Sequence, residues 1–206
     1  MLIHLEGIGK RFLQEWIFRN INLELQGDKK YAITGRNGSG KSTLLQLIAG
    51  ISNPTEGRIT YKDSGKSEIH SDNFPLFSSY TAPYQELPEE LTGREVFDFH
   101  FKFRSKSFPF GFDEFFDIIE LKDQGNKLVR FYSSGMKQRL KLGLCIFTQA
   151  QVYFLDEPTT NLDRMGIEWY KKIVKERISD KPLFISSNIE EEYQLCDSVI
   201  KVSDYK

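Results

Sequence analysis

Residues Gly35 to Thr43 read GRNGSGKST and meet the spacing G-x-x-x-x-G-K-[ST] in full. Glycines at this spacing let successive backbone N–H groups wrap around an anion, and a following helix adds positive potential at its N-terminus. Gly35, Arg36, Asn37, Gly38, Ser39, Gly40, Lys41, Ser42 and Thr43 are therefore candidate contacts to the phosphates of a nucleotide. Lys41 is expected at the β- and γ-phosphates, and the Ser42 hydroxyl is expected to ligate Mg²⁺.

A second chemical element is VYFLDEP, Val152 to Pro158, in which an apolar run ends in two adjacent carboxylates. Parallel-sheet proteins place their chemistry at the carboxyl ends of strands. There Asp156 can hold Mg²⁺ through water, and Glu157 can act as a general base on the water that attacks a γ-phosphate. In isolation, an Asp-Glu pair could simply end a strand. Beside a phosphate loop it takes the catalytic reading.

These residues need elements to position them. KYAITG reads as a short buried strand entering the glycine-rich loop, and KSTLLQLIAGI carries apolar residues at helical spacing up to about Gly50. LIHLE and WIFRNINLEL precede them as strands, and GRITYKD and SSYTA follow as strands. From about Pro83 to Gln149 the pattern turns helical and dense in phenylalanine. VYFLDE, PLFISS and SVIKVS read as strands, with an amphipathic helix, RMGIEWYKKIVKERI, between the first two. Strands alternating with helices predict an α/β fold with a mostly parallel central sheet, an N-terminal antiparallel β part and an inserted helical subdomain at about residues 84–149. The 206 residues are expected to form a single domain of this kind.

Bulk properties narrow the classes. The formal net charge of −1 leaves no basic field, so nucleic acid is not expected as a partner. No apolar run approaches the ~20 residues needed to cross a bilayer, and the amphipathic start MLIHLEGIGKRF has no apolar signal core. Any action at a membrane would require another chain to bring this one there. Cys145 and Cys196, in apolar helix-like contexts without CxxC spacing, read as reduced core thiols.

Between the two chemical elements lies FYSSGMKQRLKLGLCIF, and here the chain resembles the ATP-binding subunit of an ABC transporter. The family's signature L-S-G-G-Q stands here as Tyr132-Ser133-Ser134-Gly135-Met136, with the serine and second glycine kept. Asn161-Leu162-Asp163 matches the family's D-loop, which touches an opposing subunit, and Phe12 matches the aromatic that stacks on adenine, with Trp16 as competitor. The resemblance covers essentially the whole chain. It implies a P-loop NTPase that binds ATP and Mg²⁺, with Ser133, Gly135 and Asp163 acting on nucleotide held by a second nucleotide-binding domain, either another copy or a paralogue. It further implies an ATPase on the cytoplasmic face of a membrane that drives separate membrane-spanning subunits. The YSSGMKQR form of the signature resembles exporters. A soluble ABC ATPase for cofactor assembly, and an ATP-gated dimerisation module with vestigial hydrolysis, are the alternatives. Co-purification with a polytopic membrane protein, and phosphate release, respectively distinguish them.

Two positions depart from the family. A glutamine that ligates Mg²⁺ usually follows directly after a proline, whereas here Tyr84 follows Pro83 and Gln85 comes one later. Either Gln85 reaches the metal or that ligand is missing. The family's Thr/Ser-His pair, followed by an acidic helix, is here Ser187-Asn188 followed by IEEEYQLCD. His4, His70 and His100 all lie in the first half of the chain and cannot substitute. Asn188 can donate a hydrogen bond to a γ-phosphate but cannot be protonated near neutral pH, and Ser187 or Asn188 could also cap the next helix. The phenylalanine-rich stretch Phe97 to Phe116 is either a docking surface or the core of the helical part.

Overall fold

The computed structural model describes residues 1–65 and 67–206. The chain opens with two long strands, β1 (Leu2–Phe12) and β2 (Glu15–Gln26), then β3 (Lys30–Thr34) and helix α1 (Lys41–Ile48). Next come β4 (Glu56–Lys62), β5 (Glu68–Ile69), the single-turn helix α2 (Phe74–Phe77) and β6 (Ser78–Thr81). Helices α3 (Gly93–Phe103), α4 (Phe112–Ile118) and α5 (Ser134–Phe147) follow. The chain ends with β7 (Val152–Asp156), α6 (Arg164–Arg177), β8 (Leu183–Ser186) and β9 (Ser198–Lys201).

Two sheets result. One is antiparallel, in the order β2-β1-β4-β5, and the other runs β6-β7-β8-β3-β9, with β7–β8, β8–β3 and β3–β9 all parallel. Every residue of β7 and β8 is buried, as an apolar strand covered on both faces must be. The antiparallel pair β1–β2 instead buries alternate residues: Ile3, Leu5 and Ile8 of β1 go inward with Ile21 and Leu25 of β2.

The fold separates into two compact units, residues 1–80, 151–157 and 180–206 in one and residues 81–150 and 158–179 in the other. Both sheets belong to the first, apart from Thr81, the last residue of β6. Its core contains a run of aromatic rings. Tyr61 stacks on Phe74, Phe74 meets Phe154 edge-on, Phe154 stacks on Phe184, and Phe184 stacks on Tyr31. Ring pairs of this kind add about 0.5–1.5 kcal/mol each beyond their buried area.

The second unit holds α3 to α6. Thr92 caps α3 reciprocally with Glu95, a capping box that starts the helix where Gly93 begins it. The phenylalanine-rich stretch is mostly the core of this unit, because Phe97, Phe110, Phe115 and Phe116 are buried against one another and against Phe147. Only part of it faces out: Phe99 and Phe103, a turn apart on α3, pack edge-to-face and stay exposed.

The structure corrects two local expectations. The acidic helix after Asn188 is only one 3₁₀ turn, Glu190–Glu192. Asp197 exchanges main-chain and side-chain hydrogen bonds with Lys30, which fixes the start of β9, and a turn closed by Cys196 N–H to Tyr193 O replaces the rest of the helix. Cys196 therefore lies in a turn rather than a helix, and burial pushes its thiol up to about 12. Cys145 is a buried residue of α5, and both cysteines are free.

Candidate functional site

Glycine-rich sequence between β3 and α1 becomes a loop closed on itself. Ser39 N–H donates to Arg36 O, and the Lys41 ammonium reaches back to the same carbonyl at 3.4 Å. Arg36, Asn37 and Gly38 are exposed, while Ser39 and Lys41 are buried. Gly40 sits at φ +101, and a Cβ there would lie 2.3 Å from Ile17 Cγ2, so only glycine fits. No side chain caps α1, whose first turn contains no acidic residue. The N–H groups of that turn are available to an anion. Ser42 and Thr43 are half-buried in this turn.

The carboxyl ends of β3, β7 and β8 bring the other polar groups to this loop. Glu157 N–H donates to Ser186 O and Ser187 N–H to Ile33 O, extending the parallel ladder by one residue at each strand end. Glu157 takes a positive φ of 40°, a backbone conformation that costs a non-glycine residue of order 1–3 kcal/mol. The Ser42 hydroxyl donates to Asp156 Oδ1 at 3.0 Å, and Lys41 Nζ lies 3.9 Å from Glu157 Oε1. Burial pushes the Asp156 carboxyl up, Ser186, Ser42 and Lys41 draw it back, and Glu157 adds to the rise.

Asn188 completes this cluster. Its side chain is exposed, and its Nδ2 donates to Asn37 Oδ1 in the middle of the phosphate loop, at 3.2 Å. Neither Ser187 nor Asn188 caps the 3₁₀ turn, whose N-cap is Ile189 without a side-chain bond; Ser187 Oγ instead accepts from Ile189 N–H at 2.9 Å in a local serine turn. Lys41, Ser42, Asp156 and Glu157 thus interact with one another in the first unit, and Asn188 makes a separate contact to the phosphate loop through Asn37. No pattern of types and spacing reveals that Asn188 and Asn37, 151 residues apart, touch.

Phe12 and Trp16 differ in what already covers them. Arg19 lies over the Trp16 ring at 4.1 Å and Arg11 at 5.2 Å. Phe12 ends β1 53% exposed, with Lys10 Nζ over its ring at 5.3 Å. Phe12 is the more exposed of the two rings.

In the second unit, Ser133 is the N-cap of α5 and accepts from Met136 N–H. A Cβ on Gly135 would come within 3.1 Å of Asn161 O, so the signature glycine and the NLD turn are in close contact. Asp163 caps α6, accepting from Gly166 N–H at 2.8 Å. The buried Gln138 donates to Pro158 O, fixing the start of the same turn. Gln85 closes a turn that opens with Ala82, next to the exposed Tyr84, and its N–H donates to Ala82 O. A cleft of about 890 Å³ follows this turn, lined by residues 83–90 together with Ser134, Lys137, Lys141 and Asn161. Lys141 has a larger part in this region than its place in an apolar helix stretch suggested. Its buried ammonium donates to both Ala82 O and Pro83 O. The sequence signal for it was one charge inside the run LKLGLCIF.

Comparison with known proteins agrees with this arrangement. The chain is 28% identical over 204 residues to the bacitracin transport ATP-binding protein BcrA of Enterococcus faecalis, covering 98% of this chain and 66% of that protein. It is also 28% identical to the sulfate/thiosulfate import ATP-binding protein CysA of Synechocystis, covering all of this chain and 59% of that protein. The chain thus spans about two-thirds or less of the length of these relatives. Among solved structures, a bacterial ABC transporter cassette captured as a dimer shares its fold, with a TM-score of 0.77 at 20% identity over 97% of this chain and 94% of that one. The family model described as ABC transporter matches residues 18–160, from the second strand through both chemical elements to the turn after Glu157, and this chain belongs to that family.

Proposed function

We propose that this chain is the ATP-binding and ATP-hydrolysing subunit of an ABC transporter. It would dimerise around ATP and drive separate membrane-spanning subunits from the cytoplasmic face, in the direction of export. The observation that carries the reading is the group Lys41, Ser42, Asp156 and Glu157, where the phosphate loop and the first turn of α1 meet the carboxyl end of β7, with Asn188 bonded to Asn37 of the same loop.

The residues present fit the groups they are proposed to take. The loop side offers donors: the Lys41 ammonium, the uncapped first turn of α1, and a buried Ser39 hydroxyl with no hydrogen-bond partner among the described residues. Donors of this kind suit a polyphosphate. On the strand side, Ser42 and Asp156 offer two oxygen ligands. That is a fitting set for Mg²⁺, which keeps several waters and takes substrate phosphate oxygens for the remainder. Gln85 is proposed as a further oxygen ligand. When bound, Mg²⁺ would neutralise charge developing on the transferred phosphoryl group.

The chain's own residues then divide the work. Lys41 leaves its pairing with Glu157 for the β- and γ-phosphate oxygens. Glu157, released, takes a proton from water as that water's oxygen bonds to phosphorus and the bond to the bridging oxygen of ADP breaks. Asn188 donates its amide hydrogen to a γ-phosphate oxygen, trading its bond to Asn37 for a charged acceptor. Phe12 stacks on the base. Ser133, Gly135 and Asp163 serve nucleotide held by the second copy or a paralogue. Support for export comes from the YSSGMKQR signature. Similarity to one relative named for bacitracin transport and another named for import leaves membrane reconstitution as the test of direction.

Glu157→Gln tests the core of this reading. The variant should bind ATP as wild type does, accumulate as an ATP-dependent dimer on sedimentation, and lose about 10²–10⁴-fold in phosphate release. Unchanged turnover would remove Glu157 as the base, and loss of ATP binding would remove the division of roles.

A further inference from the structure

Inside the second unit, an ammonium group is buried for no reason that packing supplies. Lys141 is 8% exposed on α5, and its Nζ donates to Pro83 O at 2.6 Å and to Ala82 O at 3.1 Å. Both acceptors are neutral carbonyls. Removing an ammonium from water costs several kcal/mol, and a methionine or leucine would fill the same volume without that cost. A charge at this position is therefore accounted for by what it holds.

It holds a turn. Gln85 N–H donates to the same Ala82 O at 3.2 Å, and Pro83 sits second in the four-residue turn, where its fixed φ is favourable. The turn gives Gln85 its place in the chain, and Ala82 O is the acceptor shared by the turn and by Lys141. One helical turn earlier on the same face of α5, Lys137 bonds to Glu89 Oε1, at the far end of the segment. Both ends of residues 82–89 are thus fastened to the helix that starts at the signature serine, Ser133.

We propose that Lys141 is a positioning residue for Gln85: its ammonium locks the Ala82–Gln85 turn and so fixes where the Gln85 amide is presented. The functional consequence rests on the reading of Gln85 as a Mg²⁺ ligand, whereas the tether itself does not. Lys141 also explains how a glutamine one residue later than its family position can be held in a defined place rather than on a free loop.

The test uses the full chain with Lys141→Met, Lys141→Arg as the conservative rescue, and Gln85→Ala. Backbone amide hydrogen exchange of the nucleotide-free protein should be at least about ten-fold faster at Gln85 in Lys141→Met. It should return close to wild type in Lys141→Arg, with the amides of residues 142–147 unchanged in both. Unchanged exchange at Gln85 overturns the tether. If Lys141→Met also loosens residues 142–147, Lys141→Gln, which keeps a neutral donor, takes its place under the same criterion. The second readout is the Mg²⁺ concentration giving half-maximal ATP hydrolysis. It should rise about ten-fold in Lys141→Met and in Gln85→Ala, and no further in the double variant. An additive double variant overturns the positioning role. A Gln85→Ala variant with normal Mg²⁺ dependence instead removes Gln85 from the metal, and the tether is then judged on exchange alone.

Discussion

The phosphate loop and the segment 82–89 are both short, both next to proposed metal ligands, and held in opposite ways. The first is shaped by its own backbone. Gly40 at φ +101, Gly38 at φ +74 and the turn from Arg36 to Ser39 set its path, with Lys41 and Asn188 adding side-chain bonds to it. The second has no glycine and is held from outside by Lys137 and Lys141 of α5. A backbone-shaped loop is specified by which residues it contains, so it has a sequence pattern. A loop shaped from outside is specified by a distant helix, so it has none.

The largest test of this contrast is Gly40→Ala. A Cβ at 2.3 Å from Ile17 Cγ2, on a backbone that L-residues disfavour, should destabilise the first unit by about 3 kcal/mol or more and abolish nucleotide binding. Denaturant unfolding followed by fluorescent nucleotide titration checks both. A folded, ATP-binding Gly40→Ala would break the claim that the loop is backbone-defined.

Next comes Asn188, the side chain that joins the phosphate loop to the end of β8. Asn188→Ala should slow turnover by about 10–100-fold, the worth of a hydrogen bond to a charged acceptor. Asn188→His should be active with a rate that depends on pH near the ordinary histidine value of about 6.5. Steady-state phosphate release between pH 5.5 and 8 measures this, and an alanine variant matching wild type would remove Asn188 from the chemistry.

The second unit offers a pH test of side-chain anchoring. Thr148 Oγ1 donates to Leu144 O, so His100 Nε2 must carry the hydrogen it shares with Thr148, at 2.7 Å. Burial, with a smaller contribution from Arg104, pushes the imidazole down from its ordinary 6.5 to about 4. The unfolded chain then binds the proton first, so stability should fall as pH drops from about 6.5 to about 4, by about 3 kcal/mol. Urea midpoints at pH 7 and 4.5 for wild type and His100→Gln would isolate this, because the variant should lose that share of the acid sensitivity.

The smallest expected effect separates two aromatics. Phe12→Ala should weaken ATP binding about ten-fold, in line with the roughly 1–3 kcal/mol of base stacking, while Trp16→Ala should leave it within about two-fold. Titration of both variants decides between the exposed ring and the one covered by Arg11 and Arg19.

The residues themselves show why part of the molecule was legible in advance. KYAITG, VYFLDE and PLFISS are short apolar runs buried on both faces, and burial on both faces leaves no other reading for them. The family motifs put Lys41, Ser42, Asp156 and Glu157 in one neighbourhood, because parallel strands present their carboxyl ends at one edge of the sheet. The fate of the phenylalanines was not legible. The nine from Phe97 to Phe116 fit neither period cleanly, and only packing shows that Phe97 and Phe115 turn inward while Phe99 and Phe103 do not. Nor was the Asn37–Asn188 bond, or Lys141, because each joins segments whose approach is set by the whole fold.

The Lys41–Glu157 pair has one more consequence. Lys41 Nζ stands 3.9 Å from Glu157 Oε1 and 3.4 Å from Arg36 O. Under the proposed roles, an anion that draws Lys41 forward would also withdraw the cation that stands beside the base. Binding the anion and freeing the base would then be one movement of one side chain.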